Sequence, residues 1–389
     1  MEKKARDEFL RDVDEFCKEL RPVEEICYIE HKFNDQLVSL CRKYGLLGIP
    51  VREEYGGRGA DAVAYTRALD RIGMEGTGIR TFFSGHTSIG QVPIQTWGND
   101  EQRKRYLPAS TKGEKILAFG LTEPEAGSNP LEMKMTYEEK GGQYVLNGVK
   151  YLISNAGIAH AIVTFAYPKG GGRISAFIVD TDKDGFLRQD LTTKLGMPTT
   201  NTGLFELDDY AVQKENMVGK EGEGFKIAMS TLMSGRLSVA AGCLGVIADC
   251  LAEVIRYSKE REQHGKLIAR HQLVQEHIAM IRTELDAARC LVYKSARAKS
   301  KYDLDPTNTR VREYADRLIA EGKLYASNAA WDAADRAVQV FGGRGYSYMF
   351  RPGRHLQDVR VCRLYEGTDE IMKLKIASAV LGKEYEAYQ

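Results

Sequence analysis

The residue types and spacing that suggest chemistry lie at two places in the chain. Arg80 and Ser84 stand four residues apart in Gly78-Ile79-Arg80-Thr81-Phe82-Phe83-Ser84-Gly85, so on a helix they share one face. A guanidinium and a hydroxyl placed in this way converge on a single carboxylate through charge-assisted hydrogen bonds. Asp70 and Glu75 are close enough along the chain to offer Arg80 an internal partner instead. The second place is Tyr365-Glu366-Gly367-Thr368, a carboxylate beside a residue that lets backbone approach a ligand closely. Taken alone, this tetrapeptide reads as an exposed turn. Gly342, Gly343 and Gly345 invite a dinucleotide-loop reading, but they follow a helical pattern with no strand before them, which argues against a nicotinamide Rossmann site. The seven cysteines are odd in number and show no CxxC spacing, so neither a disulfide framework nor a zinc site is signalled.

The elements that must position these residues follow from periodicity. At 389 residues the chain needs two or three packed regions. Fifty-five basic against 54 acidic residues argue against a general nucleic-acid or anionic-membrane binder. No apolar run reaches the length of a membrane span, and the charged start MEKKARDEFL is no signal peptide. The expected location is the cytoplasm, or a mitochondrial matrix after removal of a transit peptide.

Residues 1–113 read as helices, with Phe9, Val13, Phe16 and Leu20 on one stripe and Leu37, Leu40 and Leu46 on another. Residues 114–216 read as an antiparallel β domain, in which Lys140-Gly141-Gly142, Asn147-Gly148 and Pro168-Lys169-Gly170-Gly171-Gly172 separate short apolar runs. Residues 217–389 return to helical spacing; Val274, Ile278, Ile281, Leu285, Ala288 and Val292 predict long antiparallel helices.

Six segments together resemble the acyl-CoA dehydrogenase family, in the family's order. They are Tyr106-Leu107-Pro108, Gly120 to Pro124 with Ala126-Gly127-Ser128, Asn147 to Lys150, Arg261 to Lys266 with His271-Gln272, Gln339 to Gly343, and Tyr365 to Thr368. The resemblance implies an α+β architecture of N-terminal helical domain, central β domain and C-terminal four-helix bundle. It also implies FAD, a homotetramer or dimer, and electron delivery to an electron-transferring flavoprotein.

The resemblance makes Glu366 the base that removes the α proton of an acyl-CoA thioester while a hydride leaves the β carbon for the flavin, a task suited to a carboxylate whose pKa is raised by desolvation. It gives Gly367 a backbone amide that polarises the thioester carbonyl. Some relatives carry the base one residue before the arginine matched by Arg236; here that residue is Gly235, leaving Glu366 without a competitor and room beside the acyl chain. The family's flavin contacts fall on Phe119, Leu121, Thr122, Ser128, Ser154, Thr368 and Glu370. Arg261, Gln272, Gln339 and Gly343 match contacts to the pyrophosphate and adenosine, partly across a subunit boundary. Leu152 stands where many relatives have tryptophan, and His264 replaces a common phenylalanine.

The substrate expectation rests on Arg80 and Ser84, which match an arginine-serine pair of glutaryl-CoA dehydrogenases. Substrate-binding residues are then Arg80, Ser84, Gly235, Arg236 and Ser128, and the substrate is a dicarboxylic acyl-CoA. Gly235 and Gly85 would leave space for the aromatic substituent of a benzylsuccinyl-CoA. An uncharged short-chain, branched or alicyclic acyl-CoA is the alternative. Outside the dehydrogenases, an acyl-CoA oxidase or a non-catalytic flavin or acyl-CoA-binding protein would share these features.

Overall fold

The computed structural model of the chain describes residues 3–385 and 387. The N-terminal region contains α1 (Lys3–Ile29), α2 (Leu37–Lys43), α3 (Ala62–Ile72), α4 (Thr77–Phe83), α5 (Val92–Trp97) and α6 (Asp100–Thr111). Phe9, Val13, Phe16 and Leu20 of α1 are buried against Leu69, Phe82 and Phe83. Asp61 caps α3 by accepting from the Ala64 amide, and Asn99 with Gln102 forms a reciprocal capping box on α6. Between α4 and α5 the helix widens into a π segment, Ser84–Gln91. Two glycines permit it: a Cβ on Gly90 would lie 2.8 Å from the Gly85 carbonyl oxygen, and one on Gly85 would lie 2.8 Å from the Asn155 amide.

The central region holds β1 (Leu117–Gly120), β2 (Thr136–Lys140), β3 (Gln143–Ser154), β4 (Ala161–Pro168), β5 (Ser175–Asp180), β6 (Phe186–Asp190), β7 (Thr202–Val212) and β8 (Met217–Val218). The strand order is β6-β7-β3-β2-β4-β5-β8, with β1 also paired to β4. Most pairings are antiparallel, as periodicity predicted, but β1–β4 and β2–β4 are parallel. Asn147-Gly148 is no turn either. It is an irregularity inside the continuous strand β3, where Gly148 adopts φ 141° and a Cβ would collide with Met135.

The C-terminal region comprises α7 (Gly224–Ser258), a short hairpin of β9 (Glu262–Gln263) and β10 (Lys266–Leu267), then α8 (Gln272–Leu304), α9 (Thr309–Phe341), α10 (Arg351–Val359) and α11 (Asp369–Leu381). Ile281, Leu285, Ala288 and Val292 of α8 are buried among α7 and α9. By length and mean apolarity α7 could cross a membrane, although Arg236 and Asp249 interrupt its apolar run; most of its apolar stretch is buried as the central helix of the molecule. Ile227 and Ala228 pack with the sheet, Ala241 with the N-terminal helices, and Val246 and Ile247 with the bundle.

Asp249 of α7 fixes α10. It accepts from Arg351 at 2.7 Å and from His355 at 2.8 Å, while Arg21 of α1 lies 3.5 Å away. Burial opposes its charge, yet Arg351 and His355 hold it below the usual carboxylate range. The chain leaving α10 runs directly into the loop that carries Glu366.

Candidate active site

Glu366 adopts φ 56° and Gly367 φ 98°. Left-handed backbone costs a non-glycine residue on the order of 1 kcal/mol or more, and persists only where its surroundings enforce it. Two buried cations do so. Arg236 Nε of α7 donates to the Glu366 carbonyl at 2.9 Å, and Lys323 Nζ of α9 donates to the Gly367 carbonyl at 2.7 Å. Among the described residues, no backbone acceptor pairs the Glu366 or Gly367 N–H. The loop therefore offers two successive amide donors, an arrangement that binds developing negative charge.

The Glu366 residue partly faces a cleft, but its Oε2 is shielded from water and has no hydrogen-bond partner among the described residues. Burial pushes its pKa up to about 7, against the opposing pull of Arg236, Arg80 and Lys323. A carboxylate in that range accepts a proton near neutral pH and holds it comfortably afterwards.

Gly235 is the seat of that carboxylate. A Cβ built on it would fall 2.5 Å from the Glu366 Cδ and closer still to Oε1. The expectation of spare room at this glycine is therefore corrected: the Glu366 carboxylate fills the space. Gly85 is filled likewise, by Asn155 and Ser154. Neither glycine provides a pocket for an aromatic substituent.

Arg80, on α4, is 2% exposed. Its guanidinium donates to the Tyr365 hydroxyl, lies 5.2 Å from that ring and 4.0 Å from Cys362 Sγ, and packs along Gly242. The internal partners suggested by sequence are engaged elsewhere, Glu75 by Arg21 and Asp70 by Arg289 and Tyr293. Among the described residues no carboxylate forms an ion pair with Arg80. Ser84 is buried with its Oγ unpartnered. Neither residue lines the open cleft directly; Tyr365 stands in front, a contact 285 residues apart in the chain that the sequence did not signal.

The cleft, of about 520 Å³, lies between the sheet and the bundle. Leu121, Thr122, Ser128, Leu152, Ser154 and Thr368 line it together with Glu366 and Gly367. Leu152 at φ 58° is 54% exposed, and Leu195 and Leu364 present further apolar surface to the same space. Apolar walls with hydroxyls along the edge fit a flat aromatic ring system with a polar rim, as FAD requires. Phe119 does not line the cleft; it packs into the sheet core against Phe165, ring centroids 5.0 Å apart. Thr368 caps α11 by accepting from the Ile371 amide, and Glu370 is exposed in the first turn of that helix. Arg261, Gln272, Gln339 and Gly343 are all exposed, away from the cleft, at the end of the bundle where α7 and α9 finish and α8 begins. Lys323 escaped the sequence reading entirely, because a lysine on an alanine-rich helix carries no signal that its ammonium turns inward.

Comparison with known proteins places this geometry. Residues 3–114 match the description "Acyl-CoA dehydrogenase, N-terminal domain", residues 118–210 the middle domain and residues 222–381 the C-terminal domain. An acyl-CoA dehydrogenase of Bacillus subtilis is 39% identical over 368 residues, covering 94% of each chain. The caffeyl-CoA reductase-Etf complex subunit CarC of Acetobacterium woodii is 34% identical over 355 residues, 90% of this chain and 91% of that one. A solved glutaryl-CoA dehydrogenase in complex with glutaryl-CoA superposes with a TM-score of 0.91 at 32% identity, covering 98% of this chain and 96% of the other. A buried carboxylate on a cation-clamped loop, facing an apolar cleft edged with hydroxyls in a chain matched nearly throughout its length, leads to one conclusion: the protein belongs to the FAD-dependent acyl-CoA dehydrogenase family.

Proposed function

We propose that this FAD-dependent acyl-CoA dehydrogenase acts on a thioester whose acyl tail ends in a carboxylate, of the glutaryl-CoA kind. The observation that carries the reading is the buried Arg80 guanidinium, which has no carboxylate ion-pair partner among the described residues and donates to the hydroxyl of Tyr365, a residue that lines the cleft. Leaving a buried guanidinium without a counter-ion costs several kcal/mol. A carboxylate tail offsets that cost by joining Arg80, Ser84 and the Tyr365 hydroxyl, whereas an uncharged tail does not. The filled spaces at Gly235 and Gly85 favour a slim tail over a benzyl-substituted one.

In this reading the amides of Glu366 and Gly367 hold the thioester carbonyl and stabilise the negative charge that develops as Glu366 withdraws the α proton. Bound FAD would supply the acceptor for the hydride that leaves the β carbon. Leu121, Thr122, Ser128, Ser154 and Thr368 would hold the flavin in the cleft they line, Ser128 would also contact the CoA side, and Phe119 would act only through the wall it supports. Arg261, Gln272, Gln339 and Gly343 serve FAD of a neighbouring subunit in a homotetramer, with Glu370 at the exposed rim. Electrons pass on to an electron-transferring flavoprotein, as the complex of the related CarC suggests.

Arg80→Met tests the substrate. We expect kcat/KM for glutaryl-CoA to fall about 100-fold or more, the magnitude of a lost charge-assisted contact, with butyryl-CoA oxidised at least as well as before. Equal losses on both substrates would reject carboxylate recognition. Running the assay with electron-transferring flavoprotein and, separately, in air distinguishes a dehydrogenase from an oxidase.

The pH dependence follows from Glu366, since the base works deprotonated. At low substrate concentration, the rate of flavin reduction should rise about tenfold per pH unit below 7 and level off above it. A profile flat between pH 5.5 and 8.5 would remove Glu366 as the titrating base.

A further inference from the structure

Lys323 occupies an expensive position. Its side chain is fully buried on α9, and its ammonium has no ion pair among the described residues. The nearby Asp369 is taken by Arg363 at 2.7 Å and by Asn328 at 3.1 Å. Burial lowers the Lys323 pKa, with Cys362, Asp369, Cys243 and Glu366 pulling the other way. A methionine would fill the same volume without the cost of burying charge. The described hydrogen bond of the ammonium goes to one atom, the Gly367 carbonyl oxygen.

We propose that Lys323 is a positioning residue for the oxyanion donors, acting jointly with Arg236. Gly367 has the widest torsional freedom of any residue, at the point where N–H direction matters most. Its two flanking peptide planes are each tied by a cation: the preceding one through the Glu366 carbonyl to Arg236, the following one through the Gly367 carbonyl to Lys323. Fixing both planes fixes φ and ψ at Gly367. In a trans peptide C=O and N–H point in opposite directions, so the bond from Arg236 to the Glu366 carbonyl also sets where the Gly367 N–H points. A cation bonded to the carbonyl end of an amide polarises it and strengthens its N–H as a donor, so Arg236 strengthens the Gly367 N–H, whereas Lys323, bonded to the carbonyl of the next peptide, acts on that donor through orientation alone. The two cations therefore prepare the loop to receive charge on the thioester oxygen, and they enforce the left-handed backbone that aims Glu366.

This inference rests on the reading of Glu366 as the base of an acyl-CoA dehydrogenase. The test uses the FAD-loaded enzyme and crotonyl-CoA labelled with ¹³C at the thioester carbonyl, a probe independent of any carboxylate tail. In the wild type, difference infrared spectroscopy should show the bound carbonyl stretch lowered from its free value; without that shift the dehydrogenase reading itself fails. Lys323→Met should move the stretch back toward the free value and slow flavin reduction by butyryl-CoA about tenfold to thirtyfold at saturation, as expected for one weakened oxyanion donor, with KM changed less than threefold. The pH midpoint of reduction should move upward, because a cation that favours the Glu366 carboxylate is gone. Lys323→Gln, which retains a donor without the charge, should fall between the two, and it replaces the methionine variant if that one fails to hold FAD. A lower melting temperature with a wild-type carbonyl stretch and pH midpoint in the folded variant would make Lys323 merely structural and overturn the proposal.

Discussion

Glu366→Gln should leave the flavin oxidised when acyl-CoA is added: the rate of anaerobic bleaching falls by at least about 10³-fold, the upper range for a general base. The amide keeps the shape of the side chain, so the loop geometry and the Arg236 and Lys323 contacts to its backbone survive. Binding of crotonyl-CoA, read from the perturbed flavin spectrum, should stay within a fewfold of wild type. Stability offers a second readout. The folded-state pKa of Glu366 is raised above its ordinary value, so its contribution is fully present below the ordinary carboxylate pKa and lost as pH rises through about 7. The glutamine variant is therefore expected to gain stability relative to wild type above pH 7 and to show no such gain near pH 4.5. Bleaching within tenfold of the wild-type rate would sink the assignment.

Gly235→Ala should separate stability from activity. Glycine inside a helix costs about 0.5–1 kcal/mol relative to alanine, and Gly235 lies deep within α7. The atoms a methyl group would meet are the far end of the Glu366 side chain, which can swing aside. Melting temperature is thus expected to hold or rise. The displaced carboxylate, moved by about an ångström from its working position, should cost about 100-fold in flavin reduction. An alanine variant with undiminished reduction would show that the base does not rest on this glycine during the reaction.

The order of helical, sheet and helical regions was legible because each rests on apolar spacing: Phe9 to Leu20 on α1 and Ile281 to Val292 on α8 bury the faces their periods predicted. Contacts that join distant segments were less accessible. Asn147-Gly148 has the composition of a tight turn, and only the closeness of Met135 shows that the glycine serves a bulge in a continuing strand. The parallel pairing of β1 with β4 leaves no trace in either strand's alternation. At the site, the motif drew attention to Glu366, but what seats its carboxylate is spatial: Gly235 beneath it, and Lys323 and Arg236 on the loop carbonyls. Gly235 was read as an absence of a side chain, when its role is to yield space to another residue. Arg80 was recognised by its partner in sequence, Ser84, while the residue that actually receives its hydrogen bond is Tyr365.

The course of α7 through the molecule bears on how the chain comes apart. One unbroken helix of 35 residues contributes side chains to the sheet core, the N-terminal core and the bundle core in turn. The three family segments are therefore not three folding units. Losing any one of them strips an apolar face from the same helix, so melting is shared across the whole chain rather than proceeding domain by domain.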